Sequence, residues 1–500
     1  MKALFGAETG HFLDLVRATP QNRSVATEPA RAESRGSLRQ SDSGVSLMVR
    51  SLTCFATSFL VSGVLCTARA DNWPQWRGPH NNGVCDEKNL PAKFDKSTNL
   101  VWRVPLPGPA GATPVVWGDR IYLTSPEKDT LPRQKGPQAR GRGRGGRRSP
   151  AEQQDLLLMC VSTDGKELWR HAVGKSNRNV MGDEGNLCSP SPVTDGKHVW
   201  SLMGTGDLAC YDAKGNEVWK LDLQAKYGTF KYSYGLASTP LLDGERLYLQ
   251  VIHGDGDSST HEAFVVAFDK TTGKEIWKQT RISDGTAENE HSYASPMLYD
   301  DGKVRLLLTH GDDYLVAHRL DTGEEVWRCG GINPKSHYNP TLRLVASPAV
   351  EGGMIIVPSA KRGPVIALRG DGKGDITDSK DFQLWKRERG TPDVPSPLIH
   401  DGLVYLAGEN GDLTVVDAKD GKEIYRQQTV RVRHRASPVY ADGKIYLASR
   451  EGDVSVVQAG REFKLLEKNE LGEPVAASPA ISDGRIYFRT YDALWAVGHK

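Results

Sequence analysis

Only one sustained apolar run occurs in the 500 residues, Ser51 to Cys66, and it falls short of a comfortable membrane span. No transmembrane segment is expected. Charge of neither sign prevails, with 64 Lys and Arg against 62 Asp and Glu, and no stretch reads as a kinase domain. Cysteine is scarce, seven residues with no two adjacent. Cys54 and Cys66 lie in the apolar run, which leaves Cys85, Cys160, Cys188, Cys210 and Cys329, an odd set that cannot all pair within one chain. Cys160 and Cys210 each stand five residues before a turn glycine, Gly165 and Gly215, so they hold equivalent places in successive units. Buried free thiols fit that placing better than a bridge.

The apolar run is an address. Arg50 precedes it and Ala68-Arg69-Ala70 follows it, the basic flank and small-x-small ending of a secretory signal, with cleavage expected after Ala70. Because such signals begin close to the start of a chain, Met48 reads as the genuine beginning and residues 1–47 as a non-native extension. A lipidated Cys66 fits less well, since Leu65 is larger than the residue normally accepted before it. Export to the periplasm or the extracellular space is therefore expected. Without residues 1–70 the net charge moves from +2 to about −1. The remaining positive charge is concentrated in residues 131–150, which carry seven basic groups and no acid. Glycine, proline and charge without apolar residues cannot repay the entropy of ordering, so a disordered insertion is expected over 126–153. A solvated loop explains it, and export removes nucleic acid as a partner.

What the chain has in quantity is a repeat. Eight Ser-Pro or Thr-Pro pairs, with prolines at 114, 192, 240, 296, 348, 397, 438 and 479, each precede a Gly-containing turn and an apolar segment; the last three recur every 41 residues. The unit beginning at Ser396 holds four apolar segments separated by turns such as Asp401-Gly402 and Asp420-Gly421, whose glycines supply the positive φ that tight hairpins demand. That period and pattern predict four-stranded propeller blades. Six units close on an aromatic residue, at Trp169, Trp219, Trp277, Trp327, Trp385 and Tyr425, and the seventh is expected to close around Phe463 to Leu466. A bulky ring at a fixed place lets one blade bury against the next.

The eighth unit, from Ser478, reaches the end of the sequence without such a strand. Asn99-Leu100-Val101-Trp102 has the missing ending and precedes the first proline. The expected architecture is all-β: one domain over 71–500, an eight-bladed propeller of four-stranded antiparallel blades, closed by an N-terminal strand that completes the last blade and removes an exposed edge. Seven blades would follow if the first or last unit were irregular.

The Asp-x-x-Thr-Gly-Lys-Glu-x-Trp turns, the Ser-Pro strand starts and the segment Asn72-Trp73-Pro74-Gln75-Trp76-Arg77-Gly78-Pro79 resemble secreted bacterial propellers with pyrroloquinoline-quinone-like repeats, over residues 72–499. The same superfold occurs in quinoprotein alcohol dehydrogenases, in the BamB-like lipoprotein of the outer-membrane assembly machinery and in sensor domains of bacterial kinases, so the resemblance implies a fold rather than an activity. Dehydrogenases of this kind combine a quinone, a calcium held by carboxylates and an amide, an aspartate base and commonly an adjacent cysteine pair. No such pair exists here, and the acidic residues align to no unique site. No catalytic residue and no metal ligand are assigned, no cofactor is expected, and pyrroloquinoline quinone with calcium stands as the alternative.

Three polar clusters carry little. The loop from His253 to His261 and that from Asp371 to Asp378 offer oxygen ligands but lack the full calcium-loop pattern, and His310-Gly311-Asp312-Asp313 has no nucleophile beside it. Turn chemistry accounts for all three. The better candidate surface is topological: residues just before the innermost strands ring one mouth of the channel. They are Asn186, Tyr234, His291, Tyr293, Arg343, Asp393, Arg433, His434 and Arg435. Their basic and aromatic character suits an anionic ligand or an acidic loop of an envelope protein. The expectation is a monomeric, non-enzymatic, BamB-like binding or assembly scaffold, with a quinone-dependent dehydrogenase as the alternative.

Overall fold

A computed structural model describes residues 72–129, 153–176, 186–255, 257 and 259–499. The expected extension and signal segment, residues 1–70, and nearly all of the expected Arg/Gly-rich insertion lie outside the described residues. Eight antiparallel sheets follow one another along the chain, over 115–175, 193–222, 241–280, 297–329, 349–387, 398–428, 439–470 and 480–498. In blade 1 the order from the channel outward is Val115–Trp117, Arg120–Pro126, Asp155–Ser162 and Glu167–Lys175. Blade 8 draws only Ala480–Ser482, Arg485–Arg489 and Ala493–Gly498 from its own unit. Leu100–Pro105 completes it, antiparallel to Ala493–Gly498 with Trp102 opposite Ala496. The closed eight-bladed ring is the one the repeats imply.

In every blade the pairing of the third and fourth strands slips by one residue at the same place. In blade 3, Ala267 faces Trp277 and Phe268 faces Glu275, so Ile276 is left over. Such a bulge re-aims the side chains around it. It turns the indole toward the neighbouring blade and leaves the preceding aliphatic residue in solvent, which is why Leu168, Val218, Ile276 and Leu384 are exposed while Trp277, Trp327 and Trp385 are buried. Each indole N–H then donates to a carbonyl of the next blade: Trp277 to Leu320 at 3.2 Å, Trp327 to Gly370 at 2.8 Å, Trp385 to Ala418 at 2.7 Å. The indole lies on the turn glycine of that blade. A Cβ at Gly323 would come within 2.4 Å of Trp277 Cε3, and its φ is +75°. The Thr-Gly-Lys-Glu turn and the tryptophan are thus two halves of one interblade contact.

Blade 7 lacks the indole. Glu467 occupies its register position, and Phe463 turns back onto Tyr425 of blade 6 with ring centroids 5.7 Å apart. The N-terminal segment supplies the missing ring: Phe94 packs on Phe488 of blade 8 at 5.4 Å, in one buried cluster with Leu466, and its N–H donates to Asn469 Oδ1 at 2.8 Å.

Blade 4 departs from four strands. Gly374–Asp375 pairs parallel to Glu325–Cys329 as a fifth. The loop that reads as an incomplete calcium pattern is therefore an edge cover, burying Ile376 and donating the Ile376 N–H to the Arg328 carbonyl at 2.9 Å. Asp312 and Asp313 form the turn between Arg305–Gly311 and Tyr314–Arg319, both at positive φ. The five described cysteines are buried; Cys160, Cys188, Cys210 and Cys329 are free, and burial pushes their thiols up to about 12.

Candidate functional site: a closed cup on the ring axis

The residue before each of the eight prolines has a structural duty. In seven of the eight, from Ser191 to Ser478, its hydroxyl oxygen accepts the main-chain N–H of the equivalent residue in the preceding blade. The relay runs from Thr113 to Ser191 at 2.9 Å, on to Thr239 at 3.0 Å and to Ser295 at 2.9 Å. It continues through Ser347, Ser396 and Ser437 to Ser478, at 2.8 to 2.9 Å. Seven links are made. The eighth, across the seam where blade 8 meets blade 1, is not, and Thr113 Oγ1 is buried without a partner. At that seam the fully buried Arg489 instead donates to the Gly108 carbonyl at 2.7 Å, and burial lowers its pKa to about 10.

Below this ring the N-terminal segment crosses the channel. Trp73 and Val116 of blade 1 exchange main-chain hydrogen bonds at 2.9 and 2.8 Å, and the Pro74 carbonyl accepts from Thr194 of blade 2 at 2.9 Å. Arg77 then reaches the Pro397 carbonyl of blade 6 at 3.2 Å and the Pro438 carbonyl of blade 7 at 2.9 Å. In a ring of eight, blades 2 and 6 are opposite, so the strap spans the axis. Arg77 is buried, which lowers its pKa to about 9. Gly83 turns the strap back toward Tyr440; it has φ +83°, and a Cβ there would lie 2.3 Å from the Arg77 guanidinium.

Above the strap lies a cup of about 200 Å3 with Trp76 among its lining residues. All seven accepting hydroxyls of the relay line it. Of the residues expected at the mouth, Asn186, Tyr234, Tyr293, Arg343 and Arg435 line the cup. Arg343 stacks over Tyr234, 4.9 Å from the ring centroid, and bonds Glu288 at 3.2 Å; Arg435 pairs with Glu409. Burial pushes the Tyr293 phenol up.

The other four expected residues are outside the lining. His291 is buried with Nε2 3.1 Å from the Gly254 carbonyl, and His434 is buried with Nδ1 3.0 Å from the Val432 carbonyl. Arg433 is exposed, and the lining arginine from that region is Arg450, whose N–H donates to the Arg433 carbonyl at 2.7 Å. Asp393 stands behind the lining residue Val394, with Oδ1 buried and unpartnered. The hydroxyl relay was not anticipated, although the Ser/Thr before each proline was its visible signal.

A bound quinone with calcium would call for carboxylate and amide oxygens on the metal and a carboxylate base. Among the described residues, the cup lining contains no Asp, Glu or His. Its amide oxygen, Asn186 Oδ1, already accepts the Cys188 N–H at 3.0 Å. Among the described residues, no group of three His, Cys, Asp or Glu is placed to hold a metal. The donor set that the described lining offers does not fit that cofactor.

Fold and repeats place the chain among closed repeat propellers. The family described as "Outer membrane protein assembly factor BamB" matches residues 155–328 and 254–375. A quinoprotein ethanol dehydrogenase of Pseudomonas aeruginosa is 39% identical over 77 residues, which are 14% of this chain and 12% of that protein. This chain therefore matches about an eighth of that relative's length. The quinohemoprotein alcohol dehydrogenase from Comamonas testosteroni superposes with a TM-score of 0.61 at 13% identity, over 86% of this chain and 81% of that one. A computationally designed protein, Ika8, superposes with a TM-score of 0.51 at 12% identity, over 79% of this chain and 99% of its own. The protein is a pyrroloquinoline-quinone-like repeat β-propeller, similar to BamB and the quinoprotein alcohol dehydrogenases.

Proposed function

We propose that the protein is an exported, non-enzymatic propeller that serves as a binding or assembly scaffold in the cell envelope, in the manner of BamB. The observation that carries this reading is the cup: a channel crossed by its own N-terminal strap and lined, among the described residues, by hydroxyls, tyrosines and arginines without a carboxylate or imidazole. Such a lining holds ligands and partner side chains, and none of its described side chains is a base at neutral pH. Its partner is an envelope protein or an anionic ligand. Among the described residues no helix is long and apolar enough to cross a membrane, and the signal at 48–70 would deliver the chain across one. N-terminal sequencing of secreted material should return Asp71.

The 77-residue likeness to a quinoprotein ethanol dehydrogenase favours the second reading, a quinone-dependent oxidoreductase. Purified protein supplied with pyrroloquinoline quinone and calcium decides between them. Neither stable quinone binding nor dye-linked alcohol oxidation is expected. Turnover above that of a heat-denatured control would overturn the scaffold reading.

A further inference from the structure

The cup's uncommitted hydrogen-bonding capacity is mainly donor capacity. Each of the seven relay hydroxyls spends an oxygen lone pair on a main-chain N–H, which leaves its own proton to be given. Asn186 spends its amide oxygen on Cys188 and keeps its NH2. Tyr293 is only 7% exposed, lines the cup, and its buried hydroxyl has no acceptor. A buried hydroxyl left in that state costs free energy that a ligand oxygen would recover. Arg343 and Arg435 add positive charge at the wall, and the carboxylates they pair with, Glu288 and Glu409, lie outside the lining.

The apolar part of the lining is aromatic. Trp76 belongs to it, and the Tyr234 and Tyr293 rings meet edge to face at 5.8 Å. A volume of about 200 Å3 exceeds the roughly 150 Å3 that admits benzene by one small substituent. Resting on the binding-scaffold reading, we propose that the cup is a metal-independent site for a small one-ring carboxylic acid, its carboxylate among the hydroxyls, Tyr293 and the arginines, its ring against Trp76 and the tyrosines.

Calorimetric titration of the full chain in EDTA tests this with benzoate and glucuronate, each against its neutral counterpart, benzamide and glucose. Saturable binding of at least one acid is expected, at least about tenfold tighter than its counterpart, and weakening with salt. The two arms decide whether the ring is aromatic or a sugar. Tyr293→Phe removes a hydroxyl whose proton has no acceptor while keeping the ring, so it should melt within a few degrees of wild type yet bind about tenfold more weakly, and Arg343→Gln with Arg435→Gln should weaken binding further. The proposal is overturned if neither acid binds, if the neutral compounds bind equally, or if Tyr293→Phe binds as wild type does. Binding that appears only after calcium is restored overturns it as well. Quinone turnover, measured separately, would overturn the scaffold reading alone, because acid binding in EDTA is scored on a different signal.

Discussion

Deletion of residues 71–104 is expected to yield an aggregating protein without a cooperative melt. The segment does three jobs at once. Leu100–Pro105 is the outer strand of blade 8, and its removal exposes the main-chain edge of Ala493–Gly498, a template for pairing with other chains. Trp102 donates its indole N–H to the Thr163 carbonyl of blade 1 at 2.7 Å, the contact that joins the last blade to the first. Phe94 fills the interface between blades 7 and 8 where Glu467 replaces an indole. A ring cut at one interface loses the closure that a repeat array otherwise lacks. Light scattering and a thermal melt provide the measurement, and a soluble deletion with a cooperative transition would refute the closure. A shorter deletion, 71–84, keeps the strand and Phe94, and should stay soluble with a lowered melting temperature.

The second large effect falls on the indole contacts. Trp327→Ala should cost about 3 to 5 kcal/mol, the usual range for truncating a buried aromatic ring, because Trp327 is 0% exposed and its N–H is bonded to Gly370. Trp277→Ala should fall in the same range. Gly323→Ala attacks the Trp277 contact from the other blade, combining a 2.4 Å approach to the ring with a positive φ. Urea melts of the three variants are the test. Losses under about 1 kcal/mol for both tryptophans would place the rings outside the interblade contact.

Much of this architecture was legible because it is local and repeated. The Ser/Thr-Pro pairs and, in every blade but the seventh, the terminal aromatics recur at one place in the unit, since each blade must meet its neighbour in the same way. Val101-Trp102 could be assigned to blade 8 for that reason: it carries the aliphatic-then-aromatic ending, which the structure explains as a bulge that exposes the first residue and buries the second. The turn reading of Asp312-Asp313 followed from the same local chemistry. Period and turn residues act within a few positions of themselves, so one chain is enough to read them.

The site obeyed a different logic. Asn186, Tyr234, Tyr293, Arg343 and Arg435 line the cup, yet no pattern in the sequence separates Arg433 from Arg450, because which of the two reaches the cup depends on how one loop lies against the next. The strap was invisible for the same reason: Pro74 and Arg77 are three residues apart in the chain and contact opposite sides of the ring. The fifth strand of blade 4 comes from a loop of blade 5. Composition, repeat and blade count are carried by the sequence itself, because they rest on short-range preferences. The cup and its lining of hydroxyls, tyrosines and arginines arise only when segments hundreds of residues apart meet on one axis, and only the tertiary structure decides which side chains arrive there.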